Sequence, residues 1–435
     1  MRFFLHIGKN MKNDTTAFFI FIIAISFFSF NYSAITLIDS PGVWPLGGPI
    51  TANPQTPNDT IISIVNSNVI FDAHDFVINQ ESNNTMPGLI GIYIAPQLTN
   101  ITIKNCTING LSGPGIYIGD GCSKIYLENI SIINCNQTGI LVDGNLLGSK
   151  ISDITITNCL ISSCKGIDTN PVYGLHMIAT KNATISNCTF NDNQTYLADN
   201  GYGINLENCY ACEFNSCKSY DNGGNILGAG ISIINSIGCS FIDCNANGNS
   251  ALTQVTTSTS CGFFINSCTA TLLSSCNALD NSNSKGSGIG FTSYNNLNSI
   301  FKNCMAANNL GGIVAAGFYF DANDSNFGIN NNVAAANIAT LENGKSFGIL
   351  LNGAQGFLIS NNTFASNLGA EGYGLVDTTI NTNNLFTNNL SYNNTSTGYS
   401  ITFTKGEFPV SFASNNNFSN LKKTSQYFNV AIVTN

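Results

Sequence analysis

The chain has 435 residues, a formal net charge of −9 at pH 7, and charged side chains at only 9% of its positions. A nucleic-acid-binding protein needs a basic patch or stripe, so this acidic and charge-poor composition excludes nucleic acid as its main partner. Arg2 is the only arginine in the sequence, so bidentate recognition of carboxylates by guanidinium groups is absent from the rest of the chain.

The first 34 residues have the features of an export signal. Arg2, Lys9 and Lys12 supply positive charge, and the 14 residues from 17 to 30 are almost entirely apolar. A run of this length suits a signal peptide and is short for a membrane-spanning helix. The sequence therefore predicts a secreted or cell-surface protein. An uncleaved N-terminal anchor is the alternative, and this segment would then be the only contact with a membrane.

A short motif recurs along the chain from residue 91 onward. It consists of glycine, an apolar residue, any residue and a second apolar residue, and its copies follow one another at spacings of 24 to 35 residues. Repeats of this length mark stacked architectures, because one repeat cannot bury its apolar face alone. The glycines that begin the copies, with Ser400 as a variant of the last one, are Gly91, Gly115, Gly139, Gly174, Gly203, Gly230, Gly262, Gly288, Gly317, Gly348 and Gly374.

Each repeat carries a second signature, an Asn-Cys or Ser-Cys pair (Asp-Cys at Cys244) that follows a short alternating strand such as Ile101-Thr102-Ile103. Alternation of apolar and polar residues has the period of a β-strand, and the intervening Gly, Asn, Asp and Ser residues are typical of turns. One repeat is thus predicted to hold about three short strands, stacked as a coil about 4.8 Å from the next. Where cysteine is missing at this position, asparagine usually stands in its place. The residues of this signature are Cys106, Asn129, Cys159, Cys188, Cys217, Cys244, Cys276, Cys304, Asn332, Asn362 and Asn388.

These repeats resemble the right-handed parallel β-helix proteins of the pectin-lyase-like superfamily over residues 60–420. The segment 69–78, Val-Ile-Phe-Asp-Ala-His-Asp-Phe-Val-Ile, is similar to the first-coil phrase of that group. The predicted fold class is therefore all-β, a single-stranded right-handed parallel β-helix of about 12 coils. The predicted divisions are an N-terminal cap and first coil at 35–85, β-helix repeats at 86–403, and a C-terminal cap at 404–435. A leucine-rich repeat and a β-propeller are the alternative folds, but the sequence lacks their consensus residues.

The chain contains 15 cysteines, an odd number. Cysteines at equivalent positions of stacked coils are expected to be buried free thiols, because their parallel Cβ vectors are unsuited to disulfide bonds. The remaining cysteines could pair locally. Cys209 and Cys212 have metal-like spacing but no second pair at a suitable distance, so neither a metal nor a cofactor is predicted.

Candidate site residues lie on the strand that each repeat glycine begins, where the middle residue of the motif and the residue two positions later point outward. Aromatic rings beside carboxylates on one sheet suit sugar binding. Asp143 and Glu207 would lie two coils apart, about 10 Å between backbones, close to the carboxyl separation of an inverting glycosidase. The alternative for Asp120 and Asp143 is a role in turns. The predicted set is Tyr93, Tyr117 and Asp120 for substrate binding, with Asp143, His176 and Glu207 as catalytic candidates.

The resemblance implies either polysaccharide-active enzymes or non-catalytic adhesins and phage spikes. The chain lacks the arginine that pectate lyases use as a base, and it lacks the aspartate and Arg-x-Lys motifs of polygalacturonases and the Asp-Pro-His-Glu phrase of uronan epimerases. The sequence therefore favours an exported, non-catalytic β-helix with a surface for a polysaccharide, a cell-surface glycan or a protein partner. The alternative is a polysaccharide hydrolase or lyase with its site on coils one to five.

Overall fold

In the computed structural model the chain winds into a stack of coils, and neighbouring coils pair through parallel strands. The predicted export segment (1–34) and the predicted C-terminal cap (404–435) lie almost entirely outside the described residues. The residues that the structure describes are 34–53, 56–81, 86–144, 150–166, 169–253, 255–321, 323–378, 384–394, 401–403 and 417–418.

The first sheet contains one strand from each coil, and the repeat glycines lie in it. Its strands follow the chain in order, so each coil adds one strand to the edge of the sheet. Within the described residues they are Ala34–Ile38, Thr60–Ile64, Ile90–Ile94, Ile116–Ile118, Ile140–Asp143, Val172–Ile178, Asn200–Glu207, Leu227–Ile234, Thr259–Asn266, Ser287–Tyr294, Val314–Asp321, Lys345–Asn352, Glu371–Asp377 and Ile401–Phe403.

The second sheet follows the first in each coil and bends once, which gives two runs of strands. Two long strands of the first run, Thr99–Asn109 and Ser123–Ile133, continue into the second run. The described strands of the first run are Gly42–Pro45, Val69–Asp72, Thr99–Asn109, Ser123–Ile133, Ile151–Thr157, Thr180–Lys181, Thr184–Ser186, Glu213–Asn215, Ser240–Ile242, Leu272–Ser274, Ile300–Lys302, Gly328–Asn330, Leu358–Ser360 and Leu385–Thr387. Those of the second run are Ile50–Ala52, Val77–Gln80, Leu160–Ser162, Thr189–Asn191, Lys218–Tyr220, Asn245–Asn247, Asn277–Leu279, Met305–Ala307, Val333–Ala335, Thr363–Ala365, Leu390–Tyr392 and Asn417–Phe418.

A third sheet of two-residue strands closes the middle coils. Its described strands are Lys165–Gly166, Gln194–Thr195, Gly223–Gly224, Ser250–Ala251, Ser282–Asn283, Leu310–Gly311 and Ile338–Ala339. The three parallel sheets confirm the predicted right-handed β-helix. Residues 35–80, within the predicted N-terminal cap and first coil at 35–85, contribute strands to the first and second sheets. No helix long and apolar enough to cross a membrane occurs among the residues described.

The Asn-Cys and Ser-Cys signature is explained by the bend of the second sheet. The first residue of each pair has a positive φ, for example 54° at Asn187 and 52° at Ser216, and Asn is among the residues that best tolerate this left-handed conformation. The next residue then points into the core. Asn129 and Asn388 have positive φ as well, so the inward positions are those of Ile130 and Asn389, one residue later than the sequence predicted.

Asparagine side chains form a ladder through the interior. In each rung the amide Nδ2 donates to Oδ1 of the next, for example 3.0 Å from Asn249 to Asn281 and 2.9 Å from Asn281 to Asn309. The same oxygens accept backbone N–H groups, which satisfies polar groups that would otherwise be buried without partners. The ladder consists of Asn193, Asn222, Asn249, Asn281, Asn309, Asn337, Asn367 and Asn394.

All fifteen cysteines are buried, and none forms a disulfide. Leu160 pairs with Thr189 and Thr189 with Lys218, so the cysteines that precede these residues occupy equivalent positions on successive coils. Burial raises the pKa of Cys106 to about 12 and that of Cys122 to about 11, so these thiols stay protonated and unreactive at neutral pH.

One repeat glycine differs from the sequence prediction. Cys261 pairs with Ile289 and Ile289 with Ala316, which places Gly290, not Gly288, between Gly262 and Gly317. Gly288 and Gly290 are two residues apart in a Gly-x-Gly run and both fit the motif. The sequence prediction of Gly288 as the repeat glycine is therefore wrong. As a result, the outward residue of this coil is Thr292 and the next is Tyr294.

We expect Asp324 to make the unfolding free energy depend on pH. This carboxyl is fully buried and accepts the N–H groups of Asn296 (2.7 Å) and Asp321 (3.0 Å). Burial raises its pKa from 3.8 to about 6. Because the folded pKa exceeds the unfolded value, the ionised form disfavours folding, and stability is lost as the pH rises through 6, by up to about 3 kcal/mol.

Thermal unfolding at pH 4.5 and pH 8 tests this expectation. Asp324→Asn cannot ionise at this position. The melting temperature of the variant minus that of wild type should therefore be larger at pH 8 than at pH 4.5, even if the amide lowers stability by the same amount at both pH values. Asp280→Asn, a change at an exposed carboxyl, serves as the control. Equal pH slopes for wild type and Asp324→Asn would contradict the assignment.

Candidate functional site

The candidate residues lie on the outward surface of five neighbouring first-sheet strands, Ile90–Ile94, Ile116–Ile118, Ile140–Asp143, Val172–Ile178 and Asn200–Glu207, which we call the candidate face. Side chains alternate across a strand, and the inward residues of these strands fill the apolar core. In-register pairing places one row of outward side chains along the stack: Tyr93, Tyr117, Leu141, His176 and Asn205.

Two tyrosines and an aspartate form one end of the candidate face. The rings of Tyr93 and Tyr117 are 5.5 Å apart between centroids and tilted by 35°. The hydroxyl of Tyr117 donates a hydrogen bond to Oδ2 of Asp143, 3.0 Å away on the next coil. The structure thus brings together three of the predicted residues as a half-buried aromatic surface that ends in a carboxylate.

His176, Glu207 and Asn205 form a second cluster on the next two coils. Nε2 of His176 lies 3.1 Å from Oε1 of Glu207, and Nδ2 of Asn205 donates to the same oxygen at 2.7 Å. The hydrogen bond from His176 is the main cause that lowers the pKa of Glu207 below its usual value. Glu207 is therefore a carboxylate at neutral pH, held in place by two neighbours.

Sequence reasoning missed two tyrosines that border this cluster. The ring of Tyr173 stacks on His176 with centroids 4.0 Å apart, and on Tyr202 at 5.5 Å. Both tyrosines directly precede a repeat glycine, Gly174 and Gly203 respectively, where the strand kinks so that the preceding side chain points outward. The Tyr-Gly dipeptide is the signal that could have found them.

The structure does not bring Asp120 to the candidate face. Its side chain is fully buried in the turn after Ile116–Ile118, and its backbone carbonyl accepts the N–H of Gln97 at 2.8 Å. This placement agrees with the turn role that the sequence left open. Asp143 and Glu207 both pair with Ile178, so they are two coils apart, as the repeat spacing predicted.

This arrangement provides flat aromatic surfaces next to hydrogen-bonded carboxylates, which is suited to the apolar faces and hydroxyl groups of sugars. It also places a histidine and a carboxylate within one hydrogen bond, as acid–base chemistry requires. In the part of the chain that the structure describes, no group of three or more His, Cys, Asp and Glu side chains is arranged to hold a metal ion.

Residues 90–269 match a family described as "Right handed beta helix region". No curated protein matches the chain.

Three solved structures are similar to the chain. The A-module of mannuronan C-5 epimerase AlgE4 from Azotobacter vinelandii is 12% identical over 87% of this chain and 91% of its own, with a TM-score of 0.47. The periplasmic alginate epimerase AlgG is 12% identical over 84% and 79%, with a TM-score of 0.46. Tailspike protein 2 of bacteriophage CBA120 is 16% identical over 62% and 43%, with a TM-score of 0.39.

At these identities and TM-scores the three structures support no conclusion about this chain, so its function has to be argued from the site. The matched family region and the stacked parallel sheets that continue on both sides of it agree on the architecture. The chain folds as a right-handed parallel β-helix, and residues 90–269 of it match the family of that description.

Proposed function

We propose that the chain is an exported β-helix protein that binds glycans on the candidate face and does not turn them over. One observation carries this proposal: four aromatic side chains and two carboxylates lie side by side on the outside of five adjacent strands. Tyr93, Tyr117 and Tyr173 are half-buried, so part of each side chain stays exposed to a ligand. Sheet strands hold these groups rigidly, which reduces the entropy lost on binding.

The protonation states of the candidate face favour binding over hydrolysis. An inverting glycosidase needs one carboxyl with a raised pKa to protonate the leaving group. The pKa of Glu207 is instead lowered by its bond to His176, so this side chain is a poor acid at neutral pH. Burial raises the pKa of Tyr173 well above its usual value, so its hydroxyl donates hydrogen bonds and cannot serve as a phenolate base.

The second candidate function is a polysaccharide hydrolase or lyase that uses the same surface. The 3.1 Å contact between His176 and Glu207 favours it, because a carboxylate that orients an imidazole is a common acid–base arrangement. Release of reducing ends or unsaturated products from any polysaccharide by the pure protein, with loss of that release in Glu207→Gln, would establish this alternative and refute the non-catalytic proposal.

We expect removal of the two tyrosine rings to weaken glycan binding. In Tyr93→Ala/Tyr117→Ala the aromatic surface at one end of the candidate face is lost, together with the hydrogen bond to Asp143. The dissociation constant should rise roughly tenfold to a hundredfold, equivalent to about 1–3 kcal/mol. Affinity electrophoresis through gels that contain soluble polysaccharides measures the change.

Tyr126→Ala is the matched control for this experiment. Tyr126 is 42% exposed and lies on the second sheet, in strand Ser123–Ile133, so its loss removes an exposed ring without touching the candidate face. Equal retention of the double variant and wild type would show that the glycan binds elsewhere. Retention of no polysaccharide by the wild-type protein would contradict the proposed function itself.

A further inference from the structure

The polar groups of the candidate face are mainly hydrogen-bond acceptors. Asp143 accepts from Tyr117, and Glu207 accepts from Asn205. An ionised carboxylate offers about four lone pairs, all of which are acceptors. A ligand can use those lone pairs only with a donor, such as a hydroxyl group. A uronate carboxylate has no proton to donate at neutral pH.

Asn205 supplies one more acceptor in the same row. Its side chain is completely buried between its neighbours on the outer surface of the sheet, and Oδ1 has no hydrogen-bond partner among the described residues. Ser232, its partner in register on the next coil, likewise has a buried hydroxyl without a partner in that part of the chain. Buried polar groups without partners are uncommon in folded proteins, and these two lie in the outward row directly beside Glu207.

A cavity of about 230 Å³ adjoins this cluster, and Tyr173 forms part of its wall. Its polar groups are the amides of Asn136, Gln137 and Asn170 and the hydroxyl groups of Thr138 and Tyr173. The described residues that line it include no charged side chain. Amides and hydroxyls both donate and accept, so this cavity is suited to a polyhydroxylated group without charge.

Apart from His176, the acidic or basic side chains that the candidate face presents for binding are Asp143 and Glu207. The described strands that form it contain no lysine or arginine, and the His176 ring is held by Glu207. A polyuronate would bring one negative charge per sugar against Asp143 and Glu207, and the described strands of the face hold no lysine or arginine to offset the repulsion.

We propose that the candidate face and its adjoining cavity take an uncharged glycan chain, whose hydroxyl groups donate to Asp143 and Glu207, and that they reject polyuronates. This inference rests on the proposed function, because it names the chemical class of the glycan that the same site binds. It separates this chain from any protein of similar fold that acts on acidic polysaccharides.

The test compares three classes of polymer in the same affinity gels at 150 mM salt. The neutral class is β-glucan, galactomannan and xylan; the anionic class is polygalacturonate and alginate; and chitosan is the cationic polymer. We expect retention by at least one neutral polymer and none by the polyuronates. In Asp143→Asn/Glu207→Gln, retention by the neutral polymer should weaken roughly tenfold, because two charge-assisted acceptors are lost. Retention by the polyuronates should increase in the same variant.

Glu213→Gln is the matched control, since Glu213 also accepts from an asparagine two residues away but lies on the second sheet. It should bind every polymer as wild type does. This result would distinguish an effect of the candidate face from an effect of the protein's net charge. Tighter retention by a polyuronate or by chitosan than by every neutral polymer would overturn the inference and leave the proposed function standing. Retention by no polymer would overturn both.

Discussion

Replacement of Asn281 by alanine should lower the unfolding free energy by about 2–4 kcal/mol. Asn281 Oδ1 accepts both the backbone N–H of Asn249 (3.1 Å) and its Nδ2 (3.0 Å), while Asn281 Nδ2 donates to Asn309 (2.9 Å) and to the carbonyl of Ala246 (3.2 Å). The residue is fully buried, so no water replaces these partners. The change leaves two donors of Asn249 unsatisfied and a cavity beside them.

The shift of the denaturation midpoint in urea measures this effect. Asn330→Ala is the control, because Asn330 is an exposed strand residue whose side-chain oxygen accepts from the side chain of Asn361, at 3.2 Å. The control should change stability by no more than about 0.5 kcal/mol. Equal midpoints for the two variants would mean that the ladder contributes little to the stability of the stack.

Replacement of Gly317 by alanine should destabilise the protein by about 1–3 kcal/mol or more. A Cβ atom on Gly317 would lie 2.5 Å from Cβ of Ala334 and 2.7 Å from the carbonyl oxygen of Gly348. Both distances are far below van der Waals contact, and neither atom belongs to a flexible side chain. The first sheet would have to move away from the second sheet at this coil, against close packing on both sides.

Gly48→Ala is the control for this substitution. Nothing lies within 4 Å of a Cβ built on Gly48, and its backbone does not adopt a positive φ, so the added methyl should be tolerated. Melting temperatures of the two variants and wild type give the comparison. A wild-type melting temperature for Gly317→Ala would contradict the close approach of the two sheets at the repeat glycines.

These glycines also explain how much of the fold could be predicted from the sequence. The first and second sheets are so close at these positions that a side chain does not fit. Glycine therefore recurs once in each coil, and its spacing makes the repeat visible in the sequence. The left-handed bend and the inward residue after it produce the Asn-Cys pair in the same way. The register of Gly288 and Gly290 could not be decided from the motif, because two glycines fit it and only pairing with Gly262 selects one.

The candidate site was harder to predict than the fold. Alternation along the strand identified Tyr93, Tyr117, Asp143, His176 and Glu207 as outward residues, because all five lie after the repeat glycine. Asp120 lies beyond the end of its strand, where the turn directs its side chain inward and alternation no longer applies. Tyr173 lies before the glycine, where a kink reverses the alternation, so its contact with His176 depends on three-dimensional structure.

A crystal structure of the protein with an oligosaccharide from the polymer that it retains most strongly would show whether glycans bind on the candidate face. We expect a sugar ring against Tyr117 or Tyr173, with hydroxyl groups within hydrogen-bond distance of Asp143 or Glu207. An oligosaccharide bound on the second sheet, for example around Tyr126, with the candidate face empty, would contradict this expectation.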